Sequence, residues 1–262
     1  MTTQLAAAGT SVWKSLYRAG GVAALVAGVI FRRNLGVEIS LFSAQKQPGD
    51  IIESFTLLQN NRLLGLIYLN IFDLVNYVLL VVVFLALYVL LRRASPGIMA
   101  VAAALGLLGI TVYCASNTAL SMLSLSDQYA AATTGAQRAA LLAAGQALLA
   151  VNRFTSPGAH PGAGGYLSLL LVAASGMMIS VVMLRSTVFN RATAYVGILA
   201  SALDLAYCFA FLFVPGLDGG LLAVSFIPAA GLFLMIWHIL IGIRLYQLGR
   251  LEGNTVLKPS YL

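Results

Sequence analysis

Leu64–Leu91, LGLIYLNIFDLVNYVLLVVVFLALYVLL, carries a single charged side chain, Asp73. At about 1.5 Å of rise per residue, a helix this long exceeds the roughly 30 Å hydrocarbon core of a bilayer. Such a run, apolar on every side, belongs in lipid or deep inside protein. Further along, Gly197–Phe211, GILASALDLAYCFAF, repeats the arrangement around Asp204. A charged group in hydrocarbon costs roughly 2.5–3.5 kcal/mol even on lenient insertion scales, so each aspartate is expected to face a partner or a cavity. The local patterns also correspond: Asn70-x-x-Asp73-Leu74-x-x-Tyr77 against Ser201-x-x-Asp204-Leu205-x-Tyr207.

Composition extends this reading to the whole chain. Of 262 residues, 60% are hydrophobic and 9% charged, with a mean hydropathy of +0.93. Soluble domains carry about 25% charged residues. The expected class is therefore an all-α integral membrane bundle, one polytopic domain over residues 1–262. A net charge of +7 in a soluble protein would suggest nucleic acid. Here the cations flank apolar segments and set topology, so no nucleic-acid partner is expected and membrane lipid is the natural surrounding. Cys114 and Cys208 lie inside apolar runs and read as small buried hydrophobes; no metal-ligand spacing accompanies them. Lys14 and Arg18 precede the apolar Gly20–Phe31, and Arg32-Arg33 follow without a small-residue cleavage site. That pattern is expected to be a retained first span rather than a signal peptide.

Six spans are expected, at 16–31, 64–91, 98–125, 165–184, 192–214 and 221–243. Arg92-Arg93 with Ser95-Pro96-Gly97, Arg185 to Arg191, and Pro215-Gly216 through Gly219-Gly220 separate them. With both termini cytoplasmic, the inner segments hold Lys14, Arg18, Arg92, Arg93, Arg185, Arg191, Arg244, Arg250 and Lys258, nine of the 15 Lys and Arg. The loop after the fifth span is acidic through Asp218. This alternation places the protein in a cell membrane with its N- and C-termini inside. Two outer connections are long. In the first, Asp50-x-x-Glu53 has the form of a helix-starting capping box. In the second, Thr134-x-x-Gln137 opens a stretch with Leu141, Leu142, Leu148 and Leu149 mostly along one side. A helix over 135–151, lying on the outer surface, is expected there. The Pro/Gly loop FTSPGAHPGAGG follows and contains His160.

The segments YRAGGVAALVAGVIFRRNLG, LLGLIYLNIFDLVNY, SNTALSMLSLSDQYAAATT and FNRATAYVGILASALDLAYC together resemble the DUF4386 family of bacterial and archaeal membrane proteins. The resemblance covers nearly the whole chain. It implies a multi-span helical fold and brings no activity, cofactor or catalytic residue with it.

On a helical wheel, Asn70, Asp73, Asn76 and Tyr77 share one arc of the second span. Tyr113, Ser116, Asn117, Ser121 and Ser124 do so in the third, and Ser201, Asp204, Tyr207 and Cys208 in the fifth. Counted from the outer ends of these spans, Asp73, Asp204 and Asn117 lie roughly 14, 15 and 10 Å deep. An outward-facing polar cavity lined by Asp73, Asp204, Asn70, Asn76, Asn117, Tyr77 and Tyr207 is the expectation, with a small or lipid-like ligand bound or transported. Two other readings stay open: an intramembrane enzyme using the Asp pair for acid–base or metal chemistry, and an accessory protein whose polar stripes only lock helices together. No nucleophile or ligand set accompanies the acids, so catalytic residues and cofactors are unassigned and a non-enzymatic role is favoured. His238 lies too far toward the inner side to reach the aspartates and is expected to hydrogen-bond beside Trp237. Arg62 is expected to anchor the outer mouth of the second span. Small residues at every fourth position, Gly20, Ala24 and Gly28, then Gly197 and Ser201, mark packing faces. Finally, the matching motifs occupy equivalent places in spans one to three and four to six, as a 3+3 inverted repeat would place them.

Overall fold

The computed structural model describes residues 13–44, 48–152, 162–214 and 221–251. His160, Asp218, Lys258 and the break at Pro215–Gly220 lie outside these residues. In chain order the helices are α1 Lys14–Ala44, α2 Ile51–Asn60, α3 Arg62–Tyr68, α4 Ile71–Leu91 and α5 Pro96–Ser116. Then come α6 Ala119–Ala131, α7 Gly135–Asn152, α8 Ala163–Leu184, α9 Arg191–Phe213 and α10 Leu221–Leu251.

Five stretches among the described residues are long and apolar enough to cross a membrane: Ile71–Leu91, Pro96–Ala131, Ala163–Leu184, Arg191–Phe213 and Pro228–Arg250. The all-α membrane bundle is thus confirmed, and five of the six expected spans meet the criteria of length and composition. The first expected span, 16–31, lies within α1. This helix packs along α10 on one side and α4 on the other. It also turns Val22, Val26 and Val29, spaced by four and three residues, outward as an exposed apolar stripe. The other spans do the same with Val75 and Val78, Val101 and Leu108, and Leu199. Exposed aliphatic side chains on every helix of a bundle fit a hydrocarbon surrounding.

The helices close a ring in chain order. Contacts run α1–α4, α4–α5, α5–α8, α8–α9, α9–α10, and α10 returns to α1. Glycine permits the closure. A Cβ on Gly21 would stand 2.7 Å from the Tyr246 amide nitrogen and 3.0 Å from the Gly242 carbonyl oxygen, so the α1 and α10 backbones touch directly. At Gly28 the added atom would meet Ile239 at 2.9 Å, which fixes α1 and α10 as antiparallel. The α5–α8 seam is built likewise, with Gly106 and Gly109 against Ser175 and Val172. Inside the ring, Leu80, Val83, Phe84, Leu87, Met99, Ile110, Ile179, Met183, Trp237, Ile241 and Leu245 form one core.

Three helix boundaries depart from the sequence expectation. The helix of the first span continues through Arg32 and Arg33 to Ala44. Arginine is a good helix former, so a charge pair ends an apolar run without ending the helix. The second span does not begin at residue 64. Asn70 adopts the left-handed conformation (φ 61°, ψ 38°) and separates α3 from α4. The third does not run continuously to residue 125; Asn117 is extended (φ −69°, ψ 123°) and α6 restarts at Ala119.

The four short helices α2, α3, α6 and α7 pack on one another and cap one end of the ring. Their own core is Ile51, Phe55, Leu58, Leu69, Ala119 and Met122, with Leu142, Leu148 and Leu149 of α7 against it. Both capping boxes form. The Asp50 side chain accepts from the Glu53 amide at 2.8 Å, while Glu53 Oε2 accepts from the Gly49 amide at 2.6 Å. In α7 the Gln137 amide donates to Thr134 Oγ1 at 3.3 Å, and Gln137 Oε1 accepts from the Thr133 and Thr134 amides. Each such cap contributes about 1 kcal/mol. The helix expected over 135–151 is therefore present, packed on α2, α6 and α8. Arg62 pairs with Asp127 at 2.9 Å, but the two side chains are 64% and 49% exposed, so this pair adds at most about 1 kcal/mol. Ser126 Oγ donating to the Phe55 carbonyl at 3.1 Å, fully buried, is the firmer tie between α6 and α2.

At the opposite end lie Lys14, Arg18, Arg92, Arg93, Arg185, Arg191, Arg244 and Arg250. Two arginines act as clasps there: Arg18 Nε donates to the Gly249 carbonyl at 3.0 Å, and Arg244 Nε to the Val188 carbonyl at 2.7 Å.

Candidate functional site

The two breaks lie together. Asn117 Nδ2 reaches the Asn70 carbonyl at 3.5 Å, and Asn117 Oδ1 accepts from the Ala119 amide at 3.1 Å, starting α6. Asparagine suits both places: its short amide tolerates the left-handed region and replaces backbone hydrogen bonds that a broken helix loses. In an apolar slab, interrupted backbone persists only where protein covers it or where it borders a polar cavity. Asn70 has a conformational consequence of its own. Asn70→Gly should leave stability unchanged or raise it, whereas Asn70→Val, β-branched at positive φ, should cost on the order of 1–3 kcal/mol. Unfolding of the purified variants in detergent checks the order; equal loss for both would mean that Asn70 acts through its side chain.

Below the breaks the tyrosines converge. Tyr77 of α4 and Tyr113 of α5 stack with ring centroids 3.9 Å apart and planes 10° apart. The Tyr77 hydroxyl lies toward Ser168 of α8, and both Asp73 and Asp204 act on it electrostatically. The Tyr113 hydroxyl lies toward the Asn117 side chain and within the field of Asp73. Tyr77 thus lies where α4 meets α5 through the stacked rings and faces α8 through Ser168.

Depth explains why Tyr77 and not a carboxyl pair holds this position. Because α4 starts at Ile71, Asp73 sits in its first turn, near the cap. Counted from the arginine end, Asp73 stands about 27 Å up α4, Tyr77 about 21 Å, and Asp204 about 20 Å up α9. The expected equal level of the two carboxyls is replaced by an offset of about 7 Å, and one turn of α4 closes it. Moreover, α4 and α9 are not neighbours in the ring but stand across it. Asp204 is buried at 9% exposure and Asp73 is half-buried.

The remaining expected residues fall in two groups. Asn76 is almost fully buried, next to Tyr77. Tyr207 is buried too, but stacks on Phe211 at 6.3 Å in a separate aromatic cluster with Tyr166, whose hydroxyl donates to the Cys208 carbonyl at 3.0 Å. His238 is remote from this region: its Nδ1–H donates to the Leu234 carbonyl at 2.7 Å and its ring meets Trp237 edge-on at 5.2 Å. Among the described residues no three of His, Cys, Asp and Glu come together.

Among the described residues, the buried Tyr68 OH, Asn76 Oδ1 and Thr118 Oγ1 around the breaks find no hydrogen-bond partner, and Tyr113 OH and Ser168 Oγ lie toward Asn117 and Tyr77 without meeting hydrogen-bond geometry. Burying one such group without a partner costs about 1–3 kcal/mol, so their concentration here singles this region out from the rest of the bundle. Sequence reasoning did not include Tyr68, Thr118 or Ser168. The fourth span carries Ser168 and Ser175 seven residues apart on one buried side, and that spacing was the signal for it.

A family model described as "Domain of unknown function (DUF4386)" matches residues 15–245. No curated protein and no solved structure matches the chain. The match spans most of the sequence, and the protein belongs to this family.

Proposed function

We propose that this DUF4386 protein binds, and carries through its bundle, a small or lipid-like ligand. The ligand is received beneath the cap helices by Asn70, Asn76, Asn117 and Tyr77, with Asp73 and Asp204 supplying a proton or cation site. The observation that carries this reading is the set of unpartnered buried polar atoms gathered at two facing helix breaks. Interrupted helices that offer backbone groups to a ligand are the form such sites take in transporters. The test is mass spectrometry of molecules retained by the purified wild type and by Asp204→Asn. A discrete species held by the wild type and lost from the variant supports binding. Identical profiles from two equally folded proteins would sink it.

The same reading places the cap helices outside the cell and the arginine end in the cytoplasm, in line with the cationic linkers. A cysteine at Ala94→Cys should then react with a membrane-impermeant maleimide only after the cell membrane is opened. Ala136→Cys should react in intact cells. Both would be built in the Cys114→Ala, Cys208→Ala background. Reaction of both from the same side contradicts the assignment.

A further inference from the structure

The arginine end contains a feature that neither the family nor the polar site beneath the cap explains. A cleft of about 400 Å³ opens there between the start of α1, the α4–α5 linker, the α8–α9 linker and the last turns of α10. Its walls include Trp13, Arg92, Arg93 and Arg185, with Leu91 and Leu248 as its apolar base. This size suits a ligand group rather than a single water.

Linker arginines that serve only to set topology have no reason to share a concavity. Here three of them, from two linkers separated by more than ninety residues of chain, line the same one. Among the described residues none of the three forms an ion pair and no carboxylate lines the cleft. Arg92 is also positioned. Its guanidinium lies 5.8 Å from the Trp13 ring centroid and 5.9 Å from that of Tyr88. Stacking engages the guanidinium faces and leaves its N–H edge for a planar or tetrahedral oxyanion. Arg244, bonded to the Val188 carbonyl at 2.7 Å, fixes the linker that presents Arg185. Guanidinium forks converging from two linkers match the donor pattern that phosphate accepts in bidentate fashion.

We propose that this cleft binds a phosphate group, presented by a phospholipid headgroup or by a soluble phosphorylated molecule. Trp13 supplies the readout, because the chain's other tryptophan, Trp237, is 2% exposed. The full-length protein in neutral detergent would be titrated with dihexanoyl phosphatidic acid, with dihexanoyl phosphatidylcholine and with inorganic phosphate, following Trp13 emission. Phosphatidic acid should give a saturable change, weakened tenfold or more in Arg185→Gln and in Arg93→Gln, and phosphatidylcholine should give none. Arg191→Gln and Arg250→Gln, at the same end but outside the cleft, should bind as the wild type does. Inorganic phosphate that competes at millimolar concentration identifies a soluble phosphate compound as the source, and failure to compete identifies the lipid. No saturable change with phosphatidic acid or phosphate overturns the proposal. So does equal weakening by all four substitutions, which would mean a diffuse surface field. The two cleft variants are independent, so misfolding of one leaves the other decisive.

Discussion

Gly21→Leu should be the most destabilising single substitution in this protein. The reason is local: the atoms nearest a Gly21 Cβ are the Tyr246 nitrogen at 2.7 Å, and the Gly242 oxygen and Tyr246 Cα at 3.0 Å. All three are backbone, so no rotamer change relieves the contact. A Cβ on Gly242 would in turn stand 2.9 Å from the Leu25 amide nitrogen and 3.0 Å from the Gly21 carbonyl oxygen, so the two glycines form one reciprocal contact. Overpacking a core costs about 1–3 kcal/mol when side chains yield. Here α1 and α10 must separate, and the loss should reach about 3 kcal/mol or more. Because α1 to α10 is the contact that closes the ring, the damage extends to α4, which packs on α1. Gly97→Leu and Gly135→Leu are the controls, since a Cβ at either position meets nothing within 4 Å. Each should hold or gain stability, because leucine forms helix better than glycine by roughly 0.8–1 kcal/mol. Detergent-solubilised thermal unfolding reads the difference. A Gly21→Leu protein as stable as these controls would mean that α1 is not fixed against α10.

The contrast between these glycines also shows which parts of the fold were legible in sequence. Hydrophobic runs announced the spans because their signal is summed over some twenty residues. The capping boxes at Asp50–Glu53 and Thr134–Gln137 were legible because their chemistry is contained within four residues. The breaks at Asn70 and Asn117 were not. Each is a single backbone excursion with no proline or glycine beside it, and asparagine also occurs within helices. Placing α4 correctly required the conformation of Asn70, and the depth of Asp73 moved with it. Long-range pairing was equally hidden: Gly20 and Gly28 advertised a packing face, yet nothing local named Gly242 as the partner of Gly21. In the candidate site, the polar stripes identified α4, α5 and α9, but the contribution of α8 through Ser168 depends on which helices close the ring. The arginines were legible as topology signals one by one, while their convergence on a cleft is a property of two linkers meeting in space.

On the proposed binding role, Asp204→Asn should weaken retention of a ligand beneath the cap by tenfold or more while leaving the fold intact. Asparagine keeps the shape of aspartate and, like a protonated carboxyl, offers one donor and one acceptor side, but removes the ability to carry a charge or deliver a proton. Asp204 is buried in the middle of α9 and acts across the ring on the Tyr77 hydroxyl. If it serves only to lock helices, an amide serves as well, and neither stability nor retention changes. If it holds a cation or proton coupled to the ligand, losing one charge-assisted interaction of about 1.5–3 kcal/mol weakens binding by roughly 10–100-fold. Tyr77→Phe separates the contributions. It keeps the ring that stacks 3.9 Å from Tyr113 and deletes only the hydroxyl on which both carboxyls act. The binding reading requires Tyr77→Phe to impair retention alongside Asp204→Asn, because it removes a hydroxyl of the proposed site. Asp73→Asn should give a smaller loss, since Asp73 is half-buried in the first turn of α4, where water and the cap's polar groups screen it. Retention and thermal unfolding measured together decide among these outcomes. Unchanged retention in both Asp204→Asn and Tyr77→Phe, with stability kept or lowered, would assign the whole cluster to helix packing.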